Sequence, residues 1–225
     1  MKIVKNLVPA NKYAIKCPHS MKPQFVVIHN TANDASAANE IAYMVRNGNE
    51  VSYHYAVDDL GAVQGIPENR NGWHAGDGGN GRGNRYGIAI EICYSKSGGP
   101  EFDDAEKNAA ELTADILRRY GWGIDKVTKH QDYSGKYCPH RTLDRGWSRY
   151  LDMVKAALSV GGASGQAREL AVGDAVTVKA SATTYATGQR IPDWVKGTTD
   201  TVAQIDGDRV LLKGIYSWVR RADIK

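Results

Sequence analysis

Cysteine is scarce in this chain of 225 residues: Cys17, Cys93 and Cys138 are the full complement. An odd, sparse set excludes a disulfide framework, and a chain of this length buries a sizeable core without such staples. Long apolar runs are missing too. No stretch approaches the length of a membrane span, so no membrane partner is expected. Residues 1–7 lack the continuous apolar segment of a secretory signal. The expectation is synthesis in the cytoplasm without a signal peptide, so a substrate outside the cell would need a separate route. A large excess of one charge is also absent. The formal net charge is +4, which favours an anionic surface and is far too small to imply nucleic acid. The rest is ordinary: 42% hydrophobic and 24% charged residues describe a soluble globular protein with one large domain or two unequal ones.

Chemistry concentrates in residues 128–141, Thr-Lys-His-Gln-Asp-Tyr-Ser-Gly-Lys-Tyr-Cys-Pro-His-Arg. His130 and Cys138 flank Gly135, which lets the chain turn back, and Pro139 fixes the backbone beyond the thiol. An imidazole and a thiol brought together this way suit zinc. Two ligands do not make a catalytic site. The third candidate is His29, at the end of the apolar run Phe25-Val26-Val27-Ile28. Three protein ligands leave a position open for water, whereas structural zinc sites close all four. His140 or His74 would close this one, although His140 sits awkwardly near Cys138 across Pro139. Glu91 is a carboxylate in an otherwise apolar strand. It either pairs with a buried arginine or, desolvated near a metal, takes a proton from an attacking water and passes it on. Cys17 and Cys93 read as reduced, partly buried thiols, and His19 has no assigned role.

Taken in order, residues 1–23 look irregular. Gln24–His29 is a buried strand, and Ser36 caps a helix that stops near Gly48. Residues 51–57 and 62–66 read as a hairpin, with Tyr53, Tyr55 and Val57 on one face and Ser52, His54 and Ala56 on the other. His54 then points into the core or supports the ligands. Residues 67–86 form a Gly- and Asn-rich loop carrying Trp73 and His74, long enough to be functional. Residues 87–93 form another strand. Asp103 and Glu106 form a capping box for a helix ending at Gly121. A short strand at 127–130 leads into the His/Cys stretch, and a last helix covers about 143–158. Ser159–Gln166 is a flexible linker by composition. Beyond it helical periodicity is lost. Short strands at 175–180, 201–206 and 209–213, with an Asp-Gly turn at Gly207, describe a small β-barrel.

The segments Val27-Ile28-His29-Asn30-Thr31, Ser52-Tyr53-His54-Tyr55, Trp73-His74-Ala75-Gly76, Ala89-Ile90-Glu91-Ile92 and His130…Lys136-Tyr137-Cys138-Pro139 together resemble the zinc-dependent N-acetylmuramoyl-L-alanine amidases. That family includes phage endolysins and the peptidoglycan recognition proteins. The resemblance implies an α/β fold, a central mixed β-sheet flanked by helices, over residues 1–159. It implies one zinc per chain on His29, His130 and Cys138. It implies catalytic roles, not apportioned, for Glu91, Lys136 and Tyr53, and a substrate groove at Trp73 and His74. Lys136 would stabilise an oxyanion. The reaction implied is hydrolysis of the amide between the lactyl group of N-acetylmuramic acid and L-alanine in bacterial peptidoglycan. After a linker at 160–167, residues 168–225 are similar to bacterial SH3-type wall-binding modules, with Tyr185, Trp194 and Trp218 as candidate contacts to a cell-wall polymer. The whole then resembles an endolysin released through a separate membrane pore. A bacterial autolysin of the same chemistry, a non-catalytic peptidoglycan-binding module and a structural zinc domain are the alternatives. Cys138 argues against the second. Tyr53, Glu91 and Lys136 together argue against the third.

Overall fold

The computed structural model describes residues 1–163 and 170–224. The chain divides into two compact units, Met1–Ser164 and Gly165–Lys225. In chain order the first contains β1 (Ile3–Lys5), α1 (Tyr13–Lys16), β2 (Phe25–Asn30), α2 (Ala37–Arg46), β3 (Tyr55–Asp58), β4 (Gly61–Gln64), α3 (Arg82–Tyr86), β5 (Gly87–Ile92), α4 (Pro100–Tyr120), β6 (Val127–Lys129), α5 (Gln131–Ser134), α6 (His140–Asp144) and α7 (Trp147–Ala163). Residues 1–23, expected to be irregular, therefore hold a strand and a helical turn. The expected hairpin is shorter at its open end, where pairing stops at Tyr55↔Gln64, while at the turn Asp58 Oδ1 accepts from the Leu60 and Gly61 amides.

The strands form one mixed sheet in the order β1-β4-β3-β5-β2-β6. β2 is buried along its whole length and lies parallel to both β5 and β6. A strand covered on both faces carries a continuous apolar run instead of an alternating one, which is what Phe25–Ile28 shows. One face of the sheet presents Val26, Ile28, Tyr55, Val57, Ile88, Ile90 and Ile92 to α4 and α7. The other presents Ala56, Ala89 and Cys93 to Ile41 and Met44 of α2. Tyr53 belongs to this second cluster, opposite Tyr55. The alternation expected to put both on one face fails because the strand begins only at Tyr55.

Helix boundaries follow local chemistry. Ser36 Oγ accepts the Asn39 amide at 3.4 Å to start α2, and Lys12 Nζ caps its end on the Val45 and Arg46 carbonyls at 2.7 and 2.6 Å. α4 starts at Pro100 behind Gly99, where proline's missing N–H costs nothing. The expected Asp103–Glu106 capping box is therefore inside the helix. Its side chains instead pair with Arg145 and Arg149. The last helix is split into α6 and α7 at Gly146, whose φ is +101°. α7 runs on to Ala163, so residues 160–163 of the expected linker are helical, and 164–167 lie outside the described residues. Cys17 and Cys93 are fully buried.

The second unit is a four-stranded antiparallel sheet of β7 (Ala175–Thr177), β8 (Thr199–Asp206), β9 (Arg209–Leu212) and β10 (Ser217–Arg220), in the order β10-β9-β8-β7. Val178, Ile191, Val195, Val210, Leu212 and Val219 form its core. Gly207 makes the expected β8–β9 turn at φ +56°.

Candidate metal centre and cleft

The ends of parallel strands deliver the site. His29, fifth in β2, pairs in register with Glu91 of β5. His130 leaves β6, and its amide donates to the Ile28 carbonyl at 3.2 Å, which brings it beside His29. The chain turns through α5, reverses at Gly135 with φ +74°, and returns so that the Gln131 amide bonds the Cys138 carbonyl at 3.0 Å. Ligand atoms of His29, His130 and Cys138 then lie within 4.8 Å of one another, all three residues buried.

These donors suit a metal ion. His29 Nδ1 and His130 Nδ1 face each other at 3.0 Å, while His29 Nε2 meets His74 Nδ1 at 3.1 Å. Where His29 Nε2–H donates to His74 and the far nitrogen of His130 donates to the Ala75 carbonyl, the two Nδ1 lone pairs face each other and need a proton or cation between them. Two imidazoles and a thiol are ordinary zinc ligands. Burial pushes both imidazoles down, His29 far below its usual value, with His74, His130 and Lys136 adding to the effect on His29. Burial and the Glu91 carboxylate push the Cys138 thiol up to about 11, so a cation is what would ionise it. Neither candidate for closing the site does so. His140 Nε2 bonds the Ser95 carbonyl at 3.1 Å, and His74 engages the far nitrogen of His29. His74, expected in the substrate groove, thus orients a ligand as well as lining the cleft.

The cluster forms the floor of a cleft of about 1010 Å³ that Tyr53, Trp73, Glu91 and Lys136 also line. Glu91 Oε1 lies 3.9 Å from His29 Nδ1, and its buried Oε2 has no hydrogen-bond partner among the described residues. Burial, reinforced by Glu40 and opposed by Lys136, raises its pKa to about 8. The bland alternative, a buried arginine partner, is not what the structure holds. Lys136 is exposed. Trp73 is both wall and anchor, its Nε1 donating to the Ile15 carbonyl at 2.9 Å. His54 is buried off the cleft, as expected.

Three residues escaped the sequence reading. Glu40, in the first turn of α2, receives the Tyr53 hydroxyl at 2.9 Å and Asn33 Nδ2 at 2.5 Å. Asn84 accepts the His74 and Ala75 amides at 2.8 Å each and so holds the Trp73–His74 loop. Nothing in their spacing marks these residues; a half-buried Glu on the inner side of α2 is the one available signal. In the second unit, Trp194 is 70% exposed, Trp218 is half-buried under the Arg209 guanidinium, and Tyr185 packs against the core. Tyr216, 80% exposed at φ +48°, was not among the expected contacts.

The N-acetylmuramoyl-L-alanine amidase family (Amidase_2) matches residues 19–141, and the chain belongs to that family. The amidase CwlA of Bacillus subtilis (strain 168) is 52% identical over 189 residues, which cover 83% of this chain and 70% of CwlA. XlyB of the same organism is 59% identical over 157 residues. There the match covers 69% of this chain and 48% of XlyB, so the chain spans about half of that relative. Among solved structures, PlyL superposes with a TM-score of 0.67 at 52% identity, covering 68% of this chain and 97% of that chain. The catalytic domain of XlyA does so with a TM-score of 0.63 at 36% identity, covering 68% and 99%.

Proposed function

We propose that the first unit is a zinc amidase that cuts peptidoglycan between the lactyl group of N-acetylmuramic acid and L-alanine. The observation that carries this is the buried His29–His130–Cys138 cluster with the Glu91 carboxyl beside it on the cleft floor. His29, His130 and Cys138 would hold the metal, His74 orients the His29 ring, and among the described residues no fourth ligand joins the group. When bound, zinc supplies an acidified water and a Lewis acid for the scissile carbonyl. Glu91, ionised once a cation sits beside it, accepts a proton from the attacking water and returns it to the leaving amine. Lys136, at the cleft edge, neutralises the oxyanion of the tetrahedral intermediate. The second unit reads as an SH3-like module that brings the enzyme to a wall polymer, with Trp194 and Trp218 as contacts and Tyr216 added to them. As an endolysin, the protein would meet its substrate after release through a separate pore.

The test pairs metal analysis with cleavage of a soluble muramoyl peptide. Wild type should carry one zinc and release peptides with a free L-alanine amine. Cys138→Ser should lose zinc and activity together. Glu91→Gln should keep zinc and melt near wild type, yet lose about two orders of magnitude in rate or more. Full zinc in Cys138→Ser, or an active Glu91→Gln enzyme, would overturn the assignment.

A further inference from the structure

Tyr53 stands in the cleft with its one hydrogen already committed. Its hydroxyl donates to Glu40 Oε2 at 2.9 Å, with the Glu40 carbonyl as a second acceptor at 3.2 Å. The other carboxylate oxygen of Glu40 receives Asn33 Nδ2 at 2.5 Å. The Asn33 amide cannot turn over, because its Oδ1 accepts the Ala35 amide at 2.8 Å. A carboxylate only accepts, and a phenol has one O–H. Donors therefore run one way, from Asn33 and from Tyr53 into Glu40, and the Tyr53 oxygen is left with lone pairs.

We infer that Glu40 is a positioning residue which, held by Asn33, fixes Tyr53 as a hydrogen-bond acceptor for the N–H of the scissile amide. This rests on the amidase reading above and separates roles that reading left joined. Lys136 serves the carbonyl oxygen. Tyr53 grips the nitrogen side, turning the leaving nitrogen's lone pair toward the proton that Glu91 delivers. Tyr53 donates nothing to the oxyanion.

The experiment compares a soluble muramoyl peptide with its ester analogue, in which an oxygen replaces the scissile N–H. Failure of zinc-loaded wild type to cleave the amide would refute the amidase reading itself, and this inference with it. Given cleavage, Tyr53→Phe should lower kcat/KM on the amide by about tenfold or more, the effect of one lost hydrogen bond at a charged network. It should change the ester rate little. Equal losses on both substrates would show Tyr53 donating to the oxyanion and overturn the inference.

A second pair tests the polarity itself. In Glu40→Gln, Asn33 Nδ2 retains the Gln oxygen, so the Gln amino group donates to the Tyr53 oxygen and takes up a lone pair, while of its two acceptors the hydroxyl keeps only the residue-40 carbonyl at 3.2 Å. That variant should lose as much as Tyr53→Phe although it is isosteric. Adding Asn33→Asp supplies an acceptor for the Gln amino group, turns the Gln oxygen back to Tyr53 and should restore most of the rate. A double variant that melts and binds zinc like wild type but recovers nothing would also sink the inference. Tyr53→Phe removes one atom and keeps the packing, so its arm stands even if the Glu40 variants fold poorly.

Discussion

Buried histidines here are read by what each nitrogen touches. His54 Nε2 meets the Arg70 carbonyl at 2.9 Å, and its Nδ1 accepts the Ala89 amide at 3.0 Å. A carbonyl demands a donor and an amide demands an acceptor, so the ring is neutral with its hydrogen on Nε2. Protonation would set Nδ1–H against the Ala89 N–H. Burial, against smaller opposing effects from the Arg70 carbonyl and Glu68, pulls the folded-state pKa from 6.5 to about 4. The folded form binds fewer protons than the unfolded form between those values. Stability from this group is therefore complete above pH 6.5, falls as pH drops through the window, and is gone below about 4. The loss is about 3 kcal/mol at most. Urea unfolding from pH 4 to 7 should show a shallower slope for His54→Gln than for wild type, and parallel curves would refute the assignment. Single residues were unevenly legible in the sequence. His29, Glu91, His130 and Cys138 stood out as polar groups in apolar strands or beside turn residues, and the resemblance of their segments to the amidases decided between a structural and a metal-site reading. Glu40 and Asn33 did not, because a Glu on a helix and an Asn in a turn are commonplace, and only the tertiary fold sets them against Tyr53.

At the scale of elements, Ser52 and Ile15 hold Trp73, and a single buried side chain, Asn84, holds the His74–Ala75 part of the loop. Asn84 is 5% exposed; its Oδ1 takes two amides of the loop and its Nδ2 donates to the Gly78 carbonyl at 3.1 Å. Asp77 in turn accepts the Gly83 and Asn84 amides at 2.6 and 3.2 Å. The stretch at 67–86 looked structureless because such side-chain scaffolding has no period. Asn84→Ala would strand two buried N–H groups and should destabilise by about 2 kcal/mol or more. Because the loop sets His74 against His29, zinc affinity should fall by about tenfold or more. Asn84→Asp keeps the oxygen that takes both amides and loses only the donor to Gly78, so it should lose less on each count; a stable, tight-binding Asn84→Ala would show the loop to be self-supporting. Regular elements were easier to read. β2 and β5 declared themselves by apolar runs, and α4 by its buried stripe of Ala109, Leu112, Ile116 and Leu117. Their boundaries were harder, since Gly99 and Gly146 acted through positive φ angles that the sequence pattern around them does not reveal.

The division into two units carries the last prediction. Every residue of the proposed centre precedes α7, and α7 itself covers the sheet through Tyr150 and Val154. The second unit has a hydrophobic core of its own, built on Val178, Val195, Val210 and Val219. Cutting at Gly161 would remove the last residues of α7, whereas a stop after Ser164 keeps the helix whole. That truncated protein should fold, bind one zinc and cleave a soluble muramoyl peptide at the full-length rate. On intact walls it should fall behind, because a tethered binding module raises the effective concentration of the enzyme at its substrate without adding chemistry. Residues 165–225 carrying a fluorophore should label the same walls, and Trp194→Ala or Tyr216→Ala should weaken the labelling if those exposed rings make contact. Failure of the truncated form on the soluble peptide would place part of the second unit in the active enzyme. Greater activity on walls would mean that the second unit restrains the first.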